Sequence, residues 1–192
     1  MEKSRFVQNS TTGHGGDVRH MASELGVRVE ELLDFSANIN PLGPPSWLRS
    51  LIARELDRVT HYPDPLALKL RTRAATHFVV PVESVLAANG TTELLYLLPS
   101  VLQPKRVIVP CPSYIDYVRV AELAEVDVKT IELLPEQGFR LDCDSLADQV
   151  EVGDLVIIGS PNNPTATLVD YEDLRSLARS VPGADFLVDE AF

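Results

Sequence analysis

The chain has 192 residues, of which 45% are hydrophobic and 23% charged, a composition typical of a folded globular domain. Its net charge of −11 makes nucleic acid and anionic membrane surfaces poor candidate partners. Two cysteines are too few for a disulfide framework or a metal cluster, so we expect no metal. No apolar run approaches a membrane span and no secretory signal is visible, which predicts a cytoplasmic protein.

Residues 1–35 form a polar stretch that we interpret as an N-terminal arm. His14, Gly15, Gly16 and Asp17 are its notable feature. Adjacent glycines let backbone N–H groups approach an anion, with His14 as a possible donor. A flexible turn is the alternative interpretation of these four residues.

Helical spacing of apolar residues predicts one helix from Pro45 onwards and another after Pro65. Beyond Val82, strand-like segments alternate with helices; the segments are 85–88, 107–110, 126–133, 155–159 and 186–189. We expect a helix from residue 90 that Pro99 ends or kinks, a short helix capped by Asp144, and a helix capped by Asp170 with Leu174, Leu177 and Ala178 facing inward.

This alternation predicts an α/β fold with a mostly parallel sheet and helices on both faces. The predicted domains are the arm, 1–35, and one sheet-centred domain, 36–192. In such folds, ligands bind at the carboxyl ends of the strands.

Three predicted loops that follow strand ends carry side chains suited to a ligand. Gly90, Thr91 and Thr92 open a helix, where free N–H groups favour a phosphate, although an ordinary threonine cap explains them equally well. Tyr114 follows a strand and a proline, so its ring either covers a planar ligand or belongs to the core.

The segment Ser160-Pro161-Asn162-Asn163-Pro164-Thr165 is more specific, because two prolines restrict the backbone around two amides. Asp189 ends the next strand, where it is either a site residue or a solvated charge. Together these groups describe a site for a planar phosphorylated heterocycle. A carboxylate that keeps a ring nitrogen protonated suits pyridoxal 5'-phosphate.

These motifs, in this order, resemble those of pyridoxal-phosphate enzymes of the aspartate aminotransferase fold, over nearly all of the chain. They are most similar to the branch that contains histidinol-phosphate aminotransferases and threonine-phosphate decarboxylases. Segments 14–17 and 34–43, together with Phe192, are more similar to the decarboxylases. The resemblance implies the N-terminal part of an enzyme that converts L-threonine O-3-phosphate to aminopropanol phosphate and carbon dioxide for cobalamin synthesis.

The resemblance also implies roles for individual residues. Thr91 and Thr92 would bind the cofactor phosphate, and Tyr114 would stack on its ring. The other implied roles are the ring 3-oxygen for Asn163, the ring nitrogen for Asp189, the phosphate for Tyr62 from the second subunit of a homodimer, and the small phosphorylated amino-acid substrate for Asn38 and segment 14–17.

Three departures from the family pattern accompany the resemblance. Ala166 stands where the family usually has glycine, so we expect no strained backbone there. Phe192 stands where aminotransferases of this branch commonly have tyrosine. The family's Schiff-base lysine and its carboxylate-binding arginine lie beyond the position of Phe192, and none of the four lysines of the chain sits in a matching motif; these are Lys3, Lys69, Lys105 and Lys129.

We therefore expect the 192 residues alone to be inactive, and to self-associate or be poorly stable because a sheet edge is exposed. Two alternatives stay open. One is a pyridoxal-phosphate aminotransferase, such as one acting on histidinol phosphate. The other is a non-catalytic fragment or binding module, which the missing lysine favours.

Overall fold

A computed structural model of the chain describes residues 17–34, 37–38 and 40–192, which fall into two units with a boundary between Ala67 and Leu68. The described part of the first unit contains helices α1 (Val18–Leu25) and α2 (Trp47–Glu55), each followed by a short 3₁₀ turn. Asp17 caps α1 by accepting a hydrogen bond from the backbone N–H of His20 at 3.1 Å. The predicted division into an arm and one domain stays a prediction.

The second unit is built around a sheet of four parallel strands in the order β2-β1-β3-β4. The strands are β1 (Arg106–Cys111), β2 (Asp127–Glu132), β3 (Asp154–Gly159) and β4 (Asp185–Asp189). All six residues of β3 are buried, because this strand lies between β1 and β4 with helices on both faces. The predicted α/β fold with a parallel sheet is confirmed.

The second unit contains five helices: α3 (Leu68–Phe78), α4 (Gly90–Leu102), α5 (Asp116–Leu123), α6 (Cys143–Ala147) and α7 (Tyr171–Ser180). Successive strand residues point to opposite faces, so Val107 packs with α4 and α5, whereas Ile108 packs with α6 and α7. Each fully buried aliphatic side chain contributes roughly 1.5–3 kcal/mol to folding. Two apolar cores, one on each face, therefore hold the sheet.

Three details of the predicted elements are wrong, and one is narrowed. Residues 85–88 form no strand, and the guanidinium of Arg71 donates a hydrogen bond to the carbonyl oxygen of Val85 at 2.6 Å. Helix α4 does not end at Pro99 but continues to Leu102, so of the two predicted effects of this proline only the kink stays a prediction. Asp142, not Asp144, caps α6, since its carboxylate accepts from two backbone N–H groups at 3.1 Å. In α7 the predicted cap Asp170 is confirmed, but Ala178 is exposed.

Strand β4 forms one edge of the described sheet, and Asp189 is its last residue. The self-association expected from such an edge stays a prediction. Among the described residues, no helix combines the length and the apolar character that crossing a membrane requires.

Candidate functional site

A cavity of about 180 Å³ opens at the carboxyl ends of the strands in the second unit. It is lined by Thr91, Thr92, Tyr114, Tyr117, Pro161, Asn163, Asp189, Ala191 and Phe192. Five of the six cofactor residues predicted in this unit thus line one cavity, although they lie in four segments that are far apart in the sequence; the sixth, Gly90, is not among the lining residues.

The amino end of α4 supplies one wall of the cavity. Gly90 has φ +81°, a conformation that glycine adopts without steric cost, and it begins the helix. The carboxylate of Glu93 accepts from the backbone and side-chain nitrogens of Asn89 at 2.6 and 3.1 Å. Thr91 and Thr92 are exposed in the first turn, where backbone N–H groups and the helix dipole favour an anion.

Tyr114 supplies a half-buried aromatic wall. Its hydroxyl donates to a carboxylate oxygen of Asp116 at 3.0 Å, and the side chain of Thr92 also hydrogen-bonds to it. Burial raises the pKa of the Tyr114 phenol above its ordinary value. Its ring lies edge-to-face with that of Tyr117, with 5.6 Å between the centroids. These contacts fix the orientation of the ring.

Asp189 is half-buried, and each of its carboxylate oxygens has a partner. Oδ2 accepts from the hydroxyl of Tyr117 at 2.9 Å, and Oδ1 accepts from the backbone N–H of Ala191 at 3.2 Å. Burial is the main cause that raises the pKa of Tyr117, and the bond to Asp189 raises it further. Tyr117 is not among the site residues predicted from the sequence. Its position three residues after Tyr114, at a helix start, is the feature that could have indicated that the two side chains lie close together.

The loop after β3 presents its two amides in different directions. Asn162 is buried, and its amide nitrogen donates to the carbonyl of Pro112 at 2.9 Å and to Thr165 Oγ1 at 2.8 Å. Asn163 is half-buried and lines the cavity. Asn162 therefore joins this loop to the one that carries Tyr114.

Ala166 occupies the left-handed region with φ +56°, so the expectation of an unstrained backbone there is wrong. The backbone N–H of Ala166 donates to the carbonyl of Asn162 at 2.7 Å, and the N–H of Asn162 donates to the carbonyl of Thr167 at 2.8 Å. These two bonds close the loop and hold Ala166 in a conformation that favours glycine.

The remaining predicted residues lie elsewhere. Asn38 and Tyr62 belong to the first unit, where both are exposed, and their roles stay predictions. His14 and Gly15 lie outside the described residues. No group of three or more His, Cys, Asp or Glu side chains is placed to hold a metal ion in the part of the chain that the structure describes.

Comparison with known proteins matches residues 30–192 to the family described as aminotransferase class I and II. The chain is 33% identical to threonine-phosphate decarboxylase of Salmonella typhimurium over 183 residues, 94% of this chain and 50% of that protein. It is 35% identical to histidinol-phosphate aminotransferase of Symbiobacterium thermophilum over 182 residues, 93% of this chain and 49% of that protein.

A solved histidinol-phosphate aminotransferase from Clostridium acetobutylicum superimposes with a TM-score of 0.72 and 27% identity, over 84% of this chain and 47% of that one. The chain thus spans about half the length of these three relatives. The family match covers most of the 192 residues. The chain belongs to the aminotransferase class I and II family.

Proposed function

We propose that this chain binds pyridoxal 5'-phosphate in the cavity of its second unit, as part of an enzyme that decarboxylates threonine phosphate in cobalamin synthesis. Class I and II aminotransferases and the two kinds of relative depend on this cofactor. The observation that carries the proposal is that Thr91, Thr92, Tyr114, Asn163 and Asp189 all line one cavity.

The chemistry of these side chains fits the cofactor group by group. The amino end of α4 and the hydroxyls of Thr91 and Thr92 suit its phosphate. The fixed ring of Tyr114 suits the flat face of a pyridine. Asn163 offers an amide donor for the 3-oxygen, and Asp189 offers an anionic acceptor for a protonated ring nitrogen.

Asp189 would hold a proton at the ring nitrogen through its ionised carboxylate. The bound cofactor supplies an electron sink for the pair of electrons left when a bond at the substrate α-carbon breaks. Asn163 would orient the ring through its 3-oxygen, while Thr91 and Thr92 would hold the phosphate end. These residues bind and tune the cofactor.

The choice of decarboxylation rests on the resemblance of Phe192, which lines the cavity where related aminotransferases commonly carry tyrosine. Transamination of histidinol phosphate is the second candidate, because identity to the aminotransferase is as high as identity to the decarboxylase. The small phosphorylated amino-acid substrate, the homodimer with Tyr62 reaching the partner's phosphate, and the cytoplasmic location are parts of the same proposal.

Cofactor binding can be tested with pyridoxamine 5'-phosphate, which carries the ring and the phosphate but needs no lysine to bind. We expect saturable binding by calorimetry, much weaker binding of unphosphorylated pyridoxamine, and roughly tenfold or greater loss in Asp189→Asn. Asp185→Asn, an exposed change in the same strand, is the control. Failure to bind, or equal affinity in Asp189→Asn, would overturn the proposal.

The reaction is tested in a protein that carries this chain together with the family's lysine. Release of carbon dioxide and aminopropanol phosphate from threonine phosphate supports decarboxylation. Amino transfer from histidinol phosphate to a keto acid supports the second candidate. Binding without either reaction identifies a non-catalytic binding module.

A further inference from the structure

Tyr117 is a buried residue that lines the cavity, and its hydroxyl donates to Asp189 at 2.9 Å. We propose that Tyr117 is a positioning residue, which fixes the Asp189 carboxylate in the orientation that meets the ring nitrogen of the cofactor. This inference rests on the proposed function and adds to it a residue outside the predicted set.

The orientation of the Asp189 carboxylate follows from its two hydrogen bonds. Rotation of an aspartate carboxylate about its terminal bond is broad, so its orientation depends on its partners. Tyr117 holds Oδ2, and the backbone N–H of Ala191 holds Oδ1 at 3.2 Å. Each oxygen has a second lone pair that can accept a further hydrogen bond. Two opposed donors therefore fix the plane of Asp189 and leave it able to bind a ligand.

Gly159, the residue paired with Asp189 in the sheet, leaves space for this contact. A Cβ at Gly159 would lie 3.1 Å from the Tyr117 hydroxyl and 3.2 Å from Asn162 Oδ1. The backbone of Gly159 does not have a positive φ, so a side chain there is limited by space and not by conformation: the Tyr117 hydroxyl would have to shift by a few tenths of an ångström. Glycine at this position leaves room for the Tyr117 hydroxyl to reach the carboxylate of Asp189.

The Tyr117 hydroxyl is also a donor that does not move or ionise easily. The Tyr117 ring packs in the core formed with Val107, Val120 and Leu155. Burial raises the pKa of its phenol, so the hydroxyl keeps its proton at neutral pH. A fixed neutral donor differs from a charged one, because it orients Asp189 without neutralising it.

The experiment compares two ligands in Tyr117→Phe, which removes only the hydroxyl. One is pyridoxamine 5'-phosphate, and the other is its analogue with C–H in place of the ring nitrogen. We expect affinity for the nitrogen ligand to fall about tenfold and affinity for the carbon analogue to stay within about twofold. Tyr171→Phe, an exposed tyrosine, is the control and should change neither affinity.

A purely structural role would weaken both ligands alike, and that result would overturn the inference. Gly159→Ala is the second variant, for which we expect a greater loss for the nitrogen ligand than for the carbon analogue, although its methyl also lies near Asn162 Oδ1. In the double variant, Tyr117→Phe with Gly159→Ala, the added methyl no longer meets a hydroxyl. The loss in affinity for the nitrogen ligand should therefore be clearly smaller than the sum of the two single losses in free energy. Additive losses would contradict the proposed contact.

The two proposals fail in different ways. If the unchanged chain binds neither ligand, the proposed function fails, and this inference fails with it. If the chain prefers the nitrogen ligand and Tyr117→Phe keeps that preference, only the positioning role of Tyr117 fails.

Discussion

Arg106 and Asp154 form a two-pronged ion pair between the first residues of β1 and β3, which are paired in the sheet. The two hydrogen bonds measure 2.6 Å (Nη2 to Oδ2) and 3.2 Å (Nε to Oδ1), and Asp154 is 3% exposed. The bond to Asp154 is the main cause that raises the pKa of Arg106. This pair lies at the opposite end of the strands from the cavity.

Asp154→Asn should therefore destabilise the chain while leaving the cavity residues in place. The change weakens the hydrogen bonds that the buried Asp154 accepts from Arg106 and from the backbone N–H of Glu151, while the partly exposed guanidinium keeps Glu151 at 3.8 Å, so we expect a loss of about 1–3 kcal/mol in the free energy of unfolding. Urea denaturation followed by circular dichroism measures it. The exposed Asp185→Asn should change the free energy by less than about 0.5 kcal/mol, and equal midpoints for the two variants would refute the role of the pair.

Ala166→Gly should stabilise the chain. A left-handed alanine costs about 1 kcal/mol more than glycine, which exceeds the cost of the greater entropy of glycine in the unfolded chain, so we expect a gain of roughly 0.5 kcal/mol. Ala178→Gly is the matched control, because Ala178 is exposed within α7 and should lose about 0.5–1 kcal/mol. Opposite signs in thermal unfolding confirm the expectation, and a loss in Ala166→Gly contradicts it.

Asn162 and Asn163 should have separable effects although they are neighbours. Asn162→Ala removes the bonds to Pro112 and Thr165, so we expect a loss of about 1–3 kcal/mol in the free energy of unfolding. Asn163→Ala should leave stability nearly unchanged and weaken binding of pyridoxamine 5'-phosphate. Denaturation and calorimetry on both variants test this, and exchanged effects would show that the roles are reversed.

Cys143 should react slowly with alkylating agents. Burial, then the nearby carboxylates of Asp173, Asp142 and Asp144, raise its pKa to about 11 from an ordinary 9.0. At about pH 8 the thiolate fraction falls roughly a hundredfold, and greater intrinsic nucleophilicity recovers about tenfold, so alkylation should be about tenfold slower than in the unfolded chain. Peptide mass spectrometry after iodoacetamide treatment measures the rate, and equal folded and unfolded rates would contradict the shift.

The same shift predicts how stability depends on pH. Because the folded state holds the Cys143 proton more tightly, the unfolded state loses it first as the pH rises. The stabilisation is complete below pH 9.0 and is lost as the pH rises to about 11. Cys143→Ala should lack this part of the decline in a series of urea titrations. An unchanged slope in the variant would assign the decline to other groups.

The fold could be predicted where the residues of a segment are by themselves enough to indicate its secondary structure. Residues 155–159 are apolar throughout and form the buried strand β3, and Asp170 caps α7 as its position indicates. Residues 85–88 have a similar apolar character, but no strand among the described residues pairs with them, and the carbonyl oxygen of Val85 accepts a hydrogen bond from Arg71. Propensity alone cannot distinguish these cases, because the partner that decides them is distant in sequence.

The candidate site divides along the same line. The ends of the strands could be located from the sequence. Asn163 and Asp189 could therefore be placed at the carboxyl ends of the strands, where ligands bind in such sheets. Tyr117 and Asn162 could not be assigned, because their roles depend on contacts with Asp189 and Pro112, far along the chain. The direction in which such a side chain points is set by packing, not by its immediate neighbours.

The wide sequence separation of the cavity residues has a consequence for the order in which the chain folds during synthesis. The helix start with Thr91 and the loop with Tyr114 leave the ribosome long before Asp189, which forms a wall of the same cavity. Pairing of β4 with β3 brings Asp189 beside Tyr117. A nascent chain can thus form β1, β2 and β3 of the described sheet before Asp189 completes its side of the cavity.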